Sequence, residues 1–217
     1  MLVRAMTGAE IEAALARAEG ASDLKGTGFW RAVDAMRRDR VLAERYADRA
    51  AKIDRRAFER GVKVRVPAGI GVLGLLVASV VGVALVAIGV QRQNAIVFIL
   101  ATGALIVGTH SLTHHIVGRV LGIRFTHVFL GGPPPPRPGL KTDYGTYLRS
   151  TPKRRAAMHA SGAVVTKIVP FALTPFGARI STWLAWLLIG IGVVQILTDV
   201  FLSTKVSDWK KVRREFA

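Results

Sequence analysis

Residues 95–122 read AIVFILATGALIVGTHSLTHHIVGRVLG, and no charge interrupts them before Arg119. A stretch of this length and polarity exceeds the ~20 apolar residues that cross a hydrocarbon core. It nevertheless carries His110, His114 and His115. Ionisable side chains inside a bilayer are expensive and mark functional positions. In a helix, His110 and His114 fall four residues apart and share one face. Two imidazoles hold one zinc ion at this spacing in His-Glu-x-x-His helices. The same pair also suits hydrogen bonding to neighbouring helices. His115 points to another face and reads as a packing residue.

Three further stretches flank this one. Residues 66–90 are wholly uncharged, residues 156–173 are shorter and interrupted by His159 and Lys167, and residues 180–202 carry Asp199 near their end. Four spans of about 66–90, 95–122, 156–173 and 180–202 predict an all-α integral membrane protein. Lys and Arg crowd residues 1–65, the loop 124–155 and the tail 205–217, whereas the two remaining links hold one Arg each. By the positive-inside rule both termini and the long loop are cytoplasmic, in an inner or plasma membrane.

Composition agrees. The chain has 217 residues, 51% of them hydrophobic, a mean hydropathy of +0.35 and a net charge of +17. Apolar spans with basic flanks combine these values readily, so the charge predicts a lipid bilayer as partner and no nucleic acid. Lys153, Arg154 and Arg155 are expected to hold anionic lipid at the inner surface. The absence of cysteine excludes disulfides and thiolate metal sites, leaving His, Asp and Glu as ligands.

Residues 1–65 lack the apolar core of a signal peptide, so the first span is expected to act as an uncleaved anchor. Thr7-Gly8-Ala9-Glu10 fits a capping box. Residues 28–61 read as one long amphipathic helix ending at Gly61, lying on the membrane surface or on the membrane domain. In the loop, GIRFTHVFLGG alternates apolar and polar residues and suggests a strand containing His127, and GGPPPPRPG predicts a polyproline-II spacer.

A third ligand for the histidine pair is open between two carboxylates. At 1.5 Å per residue, His110 lies ~22 Å and Asp199 ~28 Å along inward-running helices, at comparable depths. Asp208, just past the last span, competes with it. His159 opens the third span and offers a different pairing, with His110 or His114 as axial ligands of a haem. Lys167 requires a carboxylate partner at its depth.

The order of these motifs resembles the site-2 proteases, intramembrane zinc metalloproteases. In this resemblance, which runs from about residue 95 to 209, His110 and His114 match the zinc histidines, Gly122 the glycine that follows them, Gly162 the glycine of the middle motif, and Asp208 (alternatively Asp199) the last ligand. It implies a site-2-protease-like core with zinc. Ser111 occupies the place of the family's catalytic Glu, and Ala163 and Thr166 replace its Pro and Asn. A serine hydroxyl is no general base near neutral pH. Glu215 is the only glutamate beyond the N-terminal region. The resemblance therefore implies a degenerate member without peptide hydrolysis, acting as a pseudo-enzyme or as an accessory subunit among other membrane proteins. The alternatives are an active zinc protease with an atypical base and a bis-histidine haem subunit.

Overall fold

The structure is a computed structural model and describes residues 6–131, 137–201 and 207–216. Three helices come first, α1 (Gly8–Gly20), α2 (Phe29–Arg38) and α3 (Arg40–Gly61), followed by the short strand β1 (Val64–Pro67). The long helices α4 (Ala68–Gln91) and α5 (Ala95–Val120) lead into the strands β2 (Phe125–Gly131) and β3 (Arg137–Thr142). The chain continues through α6 (Tyr144–Arg149), α7 (Pro152–Ala178), α8 (Thr182–Phe201) and α9 (Asp208–Arg214).

Among the described residues, α4, α5, α7 and α8 are long and apolar enough to cross a membrane. Their outward faces carry exposed Ile70, Leu73, Val80, Ile96, Leu100, Trp186 and Val194. In water this would be a very large apolar patch, so the surrounding medium is a bilayer. Helix α5 packs between α4 and α7, and α7 packs on α8. Small residues allow the close approaches: a side chain at Gly82 would meet Leu105, and one at Gly108 would meet Ser79. Phe98, Ala101 and Leu105 of α5 are buried with Val86 of α4 and with Leu184 and Leu188 of α8. The third span is longer than residues 156–173. Pro152 at its start fits the first turn, where its missing N–H is not needed, and Pro170 and Pro175 lie within the helix.

Two expectations about the parts outside the four long helices are corrected. The fold is mostly helical but not all-α, because β1, β2 and β3 form an antiparallel sheet in that order. Val66 pairs with Val128, and Val128 with Leu140. The strand expected around His127 is β2. His127 pairs with Pro67 and Lys141 and lies against the Phe58 ring. Of the proline-rich segment, Arg137–Gly139 belong to β3, and residues 132–136 lie outside the described residues.

The second correction concerns residues 28–61, which do not form one helix. The chain breaks at Asp39, whose carboxylate accepts from the backbone N–H of Val41 (2.8 Å) and Leu42 (3.2 Å) and so starts α3 as a new helix. The break folds α2 back on α3. Ile11, Leu15, Phe29, Met36, Ala43 and Ala47 then form a core of their own, completed by Ile123, Tyr147, Leu148 and Met158. Residues 6–61 are thus a packed helical unit docked on α6 and the start of α7. The capping box at Thr7 and Glu10 is present.

Candidate metal centre

Helix α5 ends in a turn that Gly122 makes possible. With φ of +84° it places the Gly122 N–H on Arg119 O (3.1 Å) and the Ile123 N–H on Gly118 O (2.8 Å), closing a Schellman motif. The chain turns there into β2, and the last turns of α5 face a cavity of about 220 Å³. The cavity is bounded by β2 and β3 through Phe125, Phe129 and Leu140, by Met158 and His159 of α7, and by α9. His110, Ser111 and His114 line it from α5.

The third group comes from α9. Ser207 caps this helix, and Asp208 is its first residue. Asp208 Oδ2 lies 3.2 Å from His114 Nε2 and 3.4 Å from His110 Nε2. One ligand atom from each of the three residues lies within 4.8 Å of the others. The imidazole rings of His110 and His114 meet edge to face, 4.6 Å between centroids.

Hydrogen bonding decides what these atoms are. His114 Nδ1 lies 2.6 Å from the Met158 carbonyl oxygen, which can only accept, so Nδ1 carries the proton. In the neutral ring, Nε2 then presents a lone pair to a carboxylate oxygen. Two acceptors at that distance require a cation between them, either a proton or a metal ion. A backbone carbonyl holding the far nitrogen of a histidine is the usual support of a metal-ligating imidazole. The His114 ring has room because Gly162 faces it, and a Cβ there would overlap the ring.

The carboxylate is prepared for this position. Burial opposes the charge on Asp208. With a proton between them, the His114 hydrogen bond, together with the Lys211 ammonium 2.9 Å from Oδ1, outweighs burial and holds the carboxyl well below its usual range. Asp208 therefore stays ionised with Oδ1 committed to Lys211 and Oδ2 facing the imidazoles.

Two imidazoles and a carboxylate make a set that could hold a metal ion. Bonds of 2.0–2.2 Å in a tetrahedral site separate neighbouring ligand atoms by about 3.3 Å, and the two distances to Asp208 Oδ2 are 3.2 and 3.4 Å. The cavity is below the ~300–1,000 Å³ of sites that hold even drug-sized ligands. His159 is also engaged elsewhere, with Nε2 3.0 Å from the Tyr147 hydroxyl.

The remaining candidates fall into two groups. Asp199 is not in the cluster but forms an ion pair with Lys167, joining α7 to α8 inside the membrane. Thr166 bonds through its hydroxyl to the carbonyls of Gly162 and Ala163 on its own helix, 3.2 and 2.9 Å away. His159, by contrast, lines the cavity.

The tail contributes a residue whose role is invisible in the sequence. The Glu215 carboxylate is fully buried, bonded to Arg155, 3.5 Å from Arg37 and 2.8 Å from the Tyr147 hydroxyl. Burial and this carboxylate together push the Tyr147 phenol far above its ordinary value. Arg155, expected at the lipid surface, is instead 1% exposed and also donates to Arg37 O (2.9 Å). This network ties α9, and with it Asp208, to α2 and α7. Only the position of an acid in a basic tail hinted at it. Comparison with family models, with curated proteins and with solved structures finds no match to this chain.

Proposed function

We propose that this membrane protein has a site-2-protease-like core, holds one zinc ion between α5 and α9, and does not hydrolyse peptide bonds. The observation that carries the reading is the convergence of His110, His114 and Asp208 beside Ser111. Ligation is supported by the proton on His114 Nδ1 and by the tetrahedral spacing at Asp208 Oδ2. A bound zinc ion would supply Lewis acidity and lower the pKa of a water in the fourth position.

This chain's own residues would position the ion but not use it for hydrolysis. Met158 fixes the tautomer of His114, Lys211 holds the far oxygen of Asp208, and Gly162 makes room for the ring. No carboxylate follows His110 to accept a proton, because Ser111 stands there, buried at 3% exposure. The site thus serves binding. The protein acts as a pseudo-enzyme or accessory subunit in a membrane assembly, with its termini on the cytoplasmic side and the N-terminal helical unit as the surface offered to other subunits.

Metal analysis of the purified full-length chain tests the reading. One zinc per chain is expected, with loss in His110→Ala, His114→Ala and Asp208→Asn, and with no cleavage of membrane-spanning peptides by the loaded protein. A metal-free wild-type protein after incubation with zinc would overturn the site. Zinc-dependent cleavage would overturn the inactive reading in favour of an atypical base, for which His159 on the cavity wall is the candidate.

A further inference from the structure

A second cavity lies at the opposite end of the bundle. Helices α4 and α7 each rest on α5, and a cleft of about 380 Å³ separates them near their C-terminal ends. Its walls are Val83 and Val86 of α4 and Leu173 and Phe176 of α7, and Leu105 of α5 forms the floor. At the rim stand Gln91 and Arg179. The Arg179 guanidinium lies over the Phe176 ring, 5.9 Å from its centroid. It is exposed and has no carboxylate partner among the described residues.

Charge at this end of the molecule is one-sided. Arg92 and Arg179 sit in the two turns there, and no Asp or Glu occurs between Glu59 and Asp143 or between Asp143 and Asp199. Exposed and without a carboxylate partner among the described residues, Arg179 is available to an anion at the membrane surface. The cleft is apolar along its length and cationic at its mouth, and it opens towards lipid. An acyl chain below a phosphate has the complementary pattern: the chain replaces other lipid tails at no polar cost, and the phosphate gains a charge-assisted hydrogen bond from the guanidinium.

We propose that the cleft between α4 and α7 is a binding site for one anionic phospholipid of the adjoining leaflet, with an acyl chain along Val83, Val86 and Phe176 and the phosphate on Arg179. The site is remote from the histidine cluster and does not depend on zinc being bound there.

Native mass spectrometry of the detergent-purified full-length chain tests this, with phosphatidylglycerol and phosphatidylcholine as the added probes. The expected result is one retained phosphatidylglycerol per chain, preferred over phosphatidylcholine about fivefold, the contribution of a single cation near a membrane surface. Arg179→Gln should abolish the preference while leaving weak retention of both lipids. Ala87→Phe, which fills the cleft from an exposed position, should remove retention of either. Far-UV circular dichroism and thermal melting verify that both variants keep the fold, and the wild-type comparison of the two lipids stands without them. Equal retention of the two lipids by the wild type, or a preference untouched by both variants, overturns the proposal. So does a lipid-independent dimer that either variant dissolves, since a second copy would then occupy the cleft.

Discussion

Ser111 and Gly162 bracket the candidate centre and act in opposite ways. In the proposed reading, Ser111 leaves its position without the proton acceptor that hydrolysis would need. Gly162 supplies the space that ligation needs, and Gly162→Ala places a methyl group against the His114 imidazole. Zinc affinity in that variant should fall about 10- to 100-fold, the usual loss when the support of a ligand is disturbed, read by competition with a chelator at unchanged helix content. Both residues were visible in the sequence as members of a motif. Their effect was not, because the face to which a glycine opens depends on which helix lies opposite. Glu215 shows the same limit more strongly. Removing its carboxylate leaves Arg155 buried without an anion, while Arg37 keeps Asp34 at 2.6 Å. Glu215→Ala should cost about 3–5 kcal/mol, seen as a large drop in melting temperature. A melt equal to wild type would show that water reaches the guanidiniums.

At the scale of elements, two ion pairs fasten secondary structures and respond differently. Lys167 and Asp199 join α7 to α8 within the membrane. Lys167→Ala leaves the half-buried Asp199 carboxylate without its cation, and should cost at most about 3 kcal/mol. The double variant Lys167→Met with Asp199→Leu should recover most of this, because apolar side chains of similar size suit the site. Lys141 and Asp54 join β3 to α3 at 2.5 Å. Here burial dominates over the attraction of Lys141 and raises the Asp54 carboxyl above its ordinary value. A raised pKa means that the folded state holds its proton more tightly than the unfolded chain does. The associated stability is complete below the unfolded value, about pH 3.9, and fades as pH rises through the folded value. The melting temperature of the wild type should therefore fall across that interval, and Asp54→Asn should flatten the slope. Such pairs could not be assigned from sequence: either carboxylate was available to several cations, and only the crossing of the helices selects one.

Over the whole molecule, charge and packing divide the labour. The sheet, α6, α9 and the N-terminal helices gather on one side of the spans, where most of the 31 Lys and Arg residues also lie, and the opposite side has two short turns with Arg92 and Arg179. The absence of native cysteine makes the orientation easy to test with single introduced cysteines. Gln93→Cys should react with an impermeant maleimide on intact cells, and Lys25→Cys only after permeabilisation. The reverse pattern would invert the protein. The docked N-terminal unit also predicts joint behaviour. The N-terminal helices share a buried core with Tyr147, Leu148 and Met158, so proteolysis should not release residues 6–61 without denaturant.

The sequence alone determined the number of spans, the basic side and the histidine pair, since each rests on local composition or on a spacing of four within one helix. Tertiary structure decided the rest: that Asp208 and not Asp199 meets the imidazoles, that Asp39 breaks the first long helix, and that Glu215 is buried. These outcomes depend on contacts between residues up to 178 positions apart, as between Arg37 and Glu215. Local propensity carries no information about such distances, and the partner of a charge is fixed only when the elements have packed.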